Sequence, residues 1–317
     1  MKPFYAFFAA VLLAATVSAQ VPNCALPTDN AFLGIQTIRL WPGDAPQAKG
    51  KDCKDIPTLT ILEPHRGYGN GSAVIIFPGG AYLGLAGDLE GRMIADWFTA
   101  RGFRAFVLSY RLTSNGYVLP VPLLDARRAV QTIRARAIDY HISPDRIVVI
   151  GFSAGGHLAA LSGTQFVPSK PDADDPIERA SSRPDFLVLG YPWIGAISSD
   201  TSHLSYCKLF NLMDQCEALR VAYSPDLFVT KDTPPTFIYH TFTDQTVPVE
   251  QSLRFYDALV KAGVPSELHV FANGPHGTGL GNGDPALDQW PNLLEDWLRA
   301  QGLLTVDKSA IAASPQK

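Results

Sequence analysis

Gly151-Phe152-Ser153-Ala154-Gly155 places a serine between two glycines, each two positions away. A serine hydroxyl is a weak nucleophile at neutral pH and needs a neighbouring base before it can attack a carbonyl. The spacing becomes informative when a strand runs straight into it and a helix runs straight out. Both conditions are met, because Arg146-Ile147-Val148-Val149-Ile150 precedes it and a helix-forming segment follows Gly155. In such a turn the glycines let neighbouring segments pass close, and the serine takes a strained backbone geometry. Its hydroxyl then projects above the sheet, beside N–H groups at the start of the helix. Those donors and the helix dipole stabilise negative charge developing on a carbonyl oxygen.

Seven histidines could supply the base. His276 is favoured, since Asn273-Gly274-Pro275-His276-Gly277 follows a strand and is shaped to present one side chain. His157 lies one helical turn beyond Ser153 and is carried away from the sheet edge, so a hydrogen-bonded structural role is expected. His240 and His269 fall inside strands and should be packed, while His65, His141 and His203 have loop contexts without chemistry. The base in turn needs an acid to hold its tautomer and stabilise the imidazolium. Asp244, in Thr243-Asp244-Gln245-Thr246-Val247-Pro248, lies just past a strand and would emerge on the same edge. Asp226 and Asp232, in the preceding loop, are weaker candidates. A second set of donors is expected after an early strand, where Pro78-Gly79-Gly80-Ala81-Tyr82 lets backbone approach a substrate oxygen. The assigned oxyanion donors are the N–H groups of Gly80, Ala81 and Ala154.

The elements that must position these residues are legible as alternating strands and helices. Strand-like apolar runs occur at 72–77, 103–110, 146–150, 186–191, 236–240 and 267–271. Between them, Ile94, Trp97 and Phe98 have helical spacing, and Leu123, Ala126, Val130, Ile133 and Ala137 recur at steps of 3, 4, 3 and 4. Helices are also expected after Gly155, over 250–262 with Leu253, Tyr256 and Val260 on one face, and over 293–300. Arg127, Arg128, Arg134 and Arg136 fall off the apolar stripe of their helix and suggest a solvated face. The alternation predicts a mainly parallel sheet with helices on both faces, joined by right-handed crossovers. One domain spans 20–304, with a surface excursion at 164–184 and a roof insertion at 194–235 over the strand ends; 305–317 should be a flexible tail.

Composition narrows the function classes. The 317 residues carry 26 Lys+Arg against 30 Asp+Glu, a net charge of −4, and 46% are hydrophobic. That excludes a disordered chain and argues against nucleic acid as a partner. Lys2, the apolar run at 4–17 and Val17-Ser18-Ala19 read as a signal peptide over 1–19, and no later stretch is apolar enough to cross a bilayer. The product is expected to be secreted or periplasmic. Four cysteines in an exported chain suggest two disulfides, and neighbours in sequence give Cys24–Cys53 and Cys207–Cys216. No C-x-x-C occurs, which weakens a redox or zinc role.

Six segments together resemble a known family: Pro78-Gly79-Gly80-Ala81-Tyr82, Ser109-Tyr110-Arg111-Leu112, Asp125-Ala126-Arg127-Arg128-Ala129, Gly151 through Ala159, Ser182-Arg183-Pro184-Asp185 and Asp232-Thr233-Pro234-Pro235-Thr236. They are similar to bacterial α/β-hydrolase serine esterases, the group related to acetylxylan and feruloyl esterases and distantly to hormone-sensitive-lipase-type esterases. The order Ser…Asp…His is also that of α/β-hydrolases. The resemblance covers roughly 35–304. It implies an α/β-hydrolase fold and a serine carboxylesterase that needs no cofactor. It also implies short-chain ester substrates, often acetyl groups on a plant polysaccharide such as xylan or its oligosaccharides. Ser153, Asp244 and His276 fall on the family's triad, and Gly80, Ala81 and Ala154 on its oxyanion donors. Ala81 stands where relatives commonly have glycine, and its methyl narrows the acyl site. The insertion at 194–235 is least alike and leaves substrate choice open. A serine peptidase-like hydrolase and a non-catalytic carbohydrate-binding descendant are the alternatives.

Overall fold

The computed structural model describes residues 35–65, 68–195, 207, 213–281 and 283–312. The expected leader at 1–19, Cys24 and much of the insertion at 194–235 lie outside the described residues. Eight strands form one sheet: β1 (Gln36–Arg39), β2 (Thr58–Leu62), β3 (Ala73–Phe77), β4 (Arg104–Ser109), β5 (Ile147–Phe152), β6 (Phe186–Gly190), β7 (Thr236–Thr241) and β8 (Ser266–Phe271). Their spatial order is β1-β2-β4-β3-β5-β6-β7-β8. Strands β3 to β8 run parallel, while β2 pairs antiparallel with β4 and β1 antiparallel with β2 at the edge.

Every residue of β3 and β5 is buried, as parallel strands covered on both faces require. Side chains alternate between two apolar layers. Ala73, Ile75, Phe77, Ile147 and Val149 enter one layer with Leu123, Ala126, Val130, Leu158, Phe255 and Leu259. Val74, Ile76, Val148, Ile150 and Phe152 enter the other with Ile94, Phe98, Trp290, Leu294 and Trp297. Helices α2 (Val121–Ala135), α3 (Ala154–Thr164) and α5 (Glu250–Lys261) therefore cover one face, and α1 (Met93–Thr99) and α6 (Trp290–Ala300) the other. A short helix α4 (Cys216–Ala222) belongs to the insertion. Each fully buried large apolar side chain contributes roughly 1.5–3 kcal/mol, so the two layers supply most of the favourable folding energy.

The chain passes from β3 to β4 on one side and then returns to β5 on the other. This reversal makes a crevice outside the carboxyl ends of β3 and β5, the place where open α/β sheets bind ligands. Phe77 pairs with Gly151, so Pro78-Gly79-Gly80 and Ser153 leave the sheet side by side.

Several expectations need correction. The periodicity reading began the sheet at β3 and missed β1 and β2. The first has only four residues with mixed burial, and both lie in the antiparallel end of the sheet, outside the βα alternation. The arginines of α2 do not form a solvated face. Arg128 donates to the Leu40 carbonyl at 3.0 Å and pairs with Asp175 at 2.6 Å, and Arg134 pairs with Asp185 at 2.8 Å. They hold the excursion at 164–184 against the domain; only Arg136, paired with Asp139, stays on an exposed face. Helix α5 is also rotated from expectation. Leu253 and Val260 are exposed, while Gln251, Ser252, Phe255 and Leu259 are buried, because β7 offers His240 as a partner for Ser252. The segment from 305, expected to be a flexible tail, is held by Asp307, whose N–H donates to Asn70 and whose carboxylate accepts from Ser143. It continues as a short helix α7 (Lys308–Ala312). Cys207 and Cys216 are bonded to each other, and Cys53 is also disulfide-bonded, its expected partner Cys24 lying outside the described residues.

Candidate active site

Ser153 sits between the end of β5 and the start of α3, with φ 53° and ψ −120°. An L-residue held there is strained, and the surroundings show what enforces it. A methyl at Gly151 would lie 2.1 Å from the Gly155 carbonyl oxygen, and one at Gly155 would lie 2.0 Å from that of Phe77. Both glycines of the motif are thus close-approach positions, one inside the turn and one against the neighbouring strand. The Ser153 N–H donates to Gly190 at 3.1 Å, and its carbonyl accepts from Trp193 at 3.1 Å, which ties the elbow to the end of β6.

The three residues expected to act together form one hydrogen-bonded chain. His276 Nε2 lies 2.7 Å from Ser153 Oγ, and His276 Nδ1 lies 2.7 Å from Asp244 Oδ2. A carboxylate only accepts, so Nδ1 carries the proton and Nε2 is free to accept from the serine hydroxyl. Asp244 follows β7 in a tight turn, where its Oδ1 accepts from the N–H groups of Thr246 and Val247 at 2.8 and 2.9 Å. Burial works to raise the Asp244 carboxyl, but hydrogen bonds from His240, His276 and Val247 outweigh it and hold the group well below the usual range. It remains an anion at the pH where the imidazole must be oriented. Asp226, the weaker candidate, is occupied elsewhere by Arg254 at 2.7 Å.

The donor loop follows β3. Gly80 has φ 129°, and a methyl there would lie 2.3 Å from the Gly84 carbonyl oxygen, so only glycine fits. Its own carbonyl accepts from Leu83 and Gly84, which pins the turn. Among the described residues, the N–H groups of Gly80, Ala81 and Ala154 donate to no other protein group. Ala81 and Tyr82 both have positive φ, 55° and 58°.

Behind the loop, the Tyr82 hydroxyl lies 2.8 Å from His157 Nδ1, and His157 Nε2 lies 2.7 Å from the Tyr223 carbonyl oxygen. The carbonyl fixes the tautomer: Nε2 donates, and Nδ1 accepts from Tyr82. Burial pushes this histidine down to about 4, so it stays neutral, in the structural role expected of it. His240 is buried as expected, but it also reaches the site. Its Nε2 donates to the Val247 carbonyl at 2.9 Å and lies 3.5 Å from Asp244 Oδ2.

Sequence reasoning missed two further residues. Glu90, in the π-helical turn Gly87–Arg92, is buried against the donor loop, and Tyr191, just past β6, makes a T-shaped contact with the His276 ring, the ring centroids 4.9 Å apart. A signal for the first was available. Glu90, Ile94 and Phe98 recur at steps of four, which puts an acid in line with an apolar stripe.

A parallel sheet covered on both faces, a serine elbow at its reversal point and an Asp–His pair from the next strand ends define an α/β-hydrolase. The BD-FAE family model matches residues 59–188, and the prolyl oligopeptidase family model matches 203–301. The crystal structure of an acetyl ester-xyloside bifunctional hydrolase from Caldicellulosiruptor lactoaceticus superposes with a TM-score of 0.74 at 37% identity, covering 84% of this chain and 97% of that one. An acetylxylan esterase of Xylanibacter ruminicola is 31% identical over 235 residues, 73% of this chain and 46% of that protein. Endo-1,4-beta-xylanase B of Butyrivibrio fibrisolvens is 34% identical over 211 residues, 66% of this chain and 33% of that protein. The chain thus spans a third to just under half the length of these curated relatives. It belongs to the α/β-hydrolase esterases related to acetylxylan esterases.

Proposed function

We propose that this chain is a serine carboxylesterase that cleaves short-chain esters through an acyl-enzyme, removing acetyl groups from xylan or its oligosaccharides. The observation that carries the reading is the chain Ser153 Oγ, His276 Nε2, His276 Nδ1 and Asp244 Oδ2, with 2.7 Å at each hydrogen bond, beside three uncommitted N–H groups. His276 takes the hydroxyl proton as Ser153 Oγ bonds to the ester carbonyl carbon, and Asp244 steadies the imidazolium. The oxyanion accepts from Gly80, Ala81 and Ala154. The proton then passes to the departing alcohol, and water activated by the same imidazole releases the acid and restores the serine. Ester and water supply every atom of the cycle.

The substrate class is supported by the names of the relatives, an acetylxylan esterase and an acetyl ester-xyloside hydrolase. An oxidising, extracytoplasmic site of action is supported by the Cys207–Cys216 bond, and no described helix is long and apolar enough to cross a membrane.

The test is acetate release from acetylated xylan by wild type and Ser153→Ala, with 4-nitrophenyl acetate as control. The wild type is expected to release acetate from both, and the variant from neither while keeping its thermal transition. Retained activity in the variant would remove Ser153 as nucleophile. Turnover of the small ester alone would move the natural substrate elsewhere, and cleavage of a dipeptide amide in preference to both would favour a peptidase.

A further inference from the structure

Glu90 is a buried acid beside the relay to which the acyl-transfer steps give no part. Its Oε2 accepts from the Gly79 N–H at 2.7 Å, and its Oε1 accepts from the Tyr191 hydroxyl at 2.8 Å. The Tyr191 oxygen accepts in turn from the Gly279 N–H at 3.2 Å, three residues past His276. The Gly279 carbonyl is held from the other side by Tyr239 at 3.0 Å and Trp290 at 3.1 Å, whose rings are stacked at 4.1 Å. One carboxylate therefore joins the donor loop after β3 to the histidine loop after β8, across the three strands β5, β6 and β7 that lie between them. A methyl at Gly79 would meet Glu90 Oε2 at 2.7 Å and Ser153 Cβ at 2.9 Å, so the carboxylate and the nucleophile flank the same glycine.

We propose that Glu90 is a positioning residue for acyl transfer: it holds the oxyanion donors and the His276 loop in one register, and its negative charge favours the imidazolium formed as Ser153 attacks. This rests on the esterase reading of the site. The groups facing His276 are Ser153 from the elbow, Asp244 from the β7 turn, Tyr191 from the end of β6 and Glu90 from the turn before α1. Those facing Glu90 are Tyr191, Tyr110, Tyr239 and His276. Burial pushes all three tyrosine hydroxyls up, so they stay neutral. Burial also pushes the Glu90 carboxyl up, and the hydrogen bonds from Tyr191 and Gly79 and the charge of His276 offset part of that. A group held in this balance is sensitive to the charge on the neighbouring imidazole, and by reciprocity the imidazole is sensitive to it.

The test uses the intact chain and two variants. Glu90→Gln keeps the volume but removes the charge and turns one acceptor into a donor. Tyr191→Phe keeps the ring against His276 and cuts the strut. His276 titration is followed by proton NMR of its low-field Nδ1–H, and kcat and KM are measured with 4-nitrophenyl acetate against a Ser153→Ala blank. In Glu90→Gln, His276 should protonate at a pH lower than in wild type by roughly half a unit or more. Its kcat should fall about tenfold with KM nearly unchanged, since the effect belongs to the transition state. Tyr191→Phe should move both in the same direction by less. The NMR titration needs no substrate, so a wild type without turnover defeats the esterase reading and leaves the Glu90 test intact. Folded variants whose titration and kcat match wild type would overturn the proposal. So would loss of fold in both variants, which would assign the network to stability alone.

Discussion

Ala81 and Ser153 hold positive φ values of 55° and 53° within the same crevice. At Ser153 the strain aims the hydroxyl, but at Ala81 the same backbone would suit glycine, which has no Cβ to strain. Left-handed geometry costs a non-glycine residue about 1–2 kcal/mol, and glycine's extra freedom in the unfolded chain returns part of that cost. Ala81→Gly should therefore raise unfolding free energy by roughly 0.5–1 kcal/mol in urea titration, with the N–H still available for the oxyanion. A lower urea midpoint would mean that the methyl packs usefully. Gly80 has no such latitude, because the Gly84 carbonyl occupies the space.

At the scale of elements, β4 is joined to α2 by a buried ion pair. Arg111, just past β4, uses Nε and Nη2 on Asp125, with its shortest contact at 2.6 Å, and Nη1 on the Pro46 carbonyl at 2.6 Å. Asp125 also accepts from the Arg111 N–H at 2.9 Å. Burial pushes Asp125 up to about 6, against the hydrogen bonds and charge of Arg111. Removing one partner strands the other in a dry interior. Arg111→Met should cost roughly 3–5 kcal/mol by chemical denaturation, and adding Asp125→Leu should recover much of it. A loss below about 1 kcal/mol in the single variant would show that water reaches the pair. The segments that carried the family resemblance, Ser109-Tyr110-Arg111-Leu112 and Asp125-Ala126-Arg127-Arg128-Ala129, are the two halves of this contact. Their pairing was not legible beforehand, because nothing in either segment says which arginine meets which acid.

At the scale of the whole molecule, His157 joins helix α3, the loop after β3 and the insertion through Tyr82 and Tyr223. Its pKa is about 4 when folded, against an ordinary unfolded value near 6.5, so the unfolded chain binds more protons between those limits. The stability that this neutral histidine contributes is present above about pH 6.5 and is lost as pH falls toward 4, on the order of 3 kcal/mol. Asp125 contributes the opposite slope, since a raised carboxyl favours the folded state at low pH. The measurement is thus a difference: the loss of melting temperature from pH 7 to 4 should be smaller in His157→Gln than in wild type. Equal losses would place the acid sensitivity elsewhere.

The sequence by itself determined the alternation of buried strands and helices, the elbow around Ser153, and the ends of strands from which Asp244 and His276 emerge. Those features are local: apolar period, glycine spacing and the residues that stop a strand are read within a window of about ten residues. Only the tertiary structure decided the rest. It set β1 and β2 antiparallel at the edge, turned Ser252 and Phe255 of α5 inward, and placed Glu90, Tyr191 and His240 around the relay. Each of those outcomes depends on a partner far away in the chain, as with the Tyr191 hydroxyl meeting a carboxylate 101 residues earlier. Burial of a polar group is favourable only where another chain segment completes its hydrogen bonds, and such pairing has no period to read.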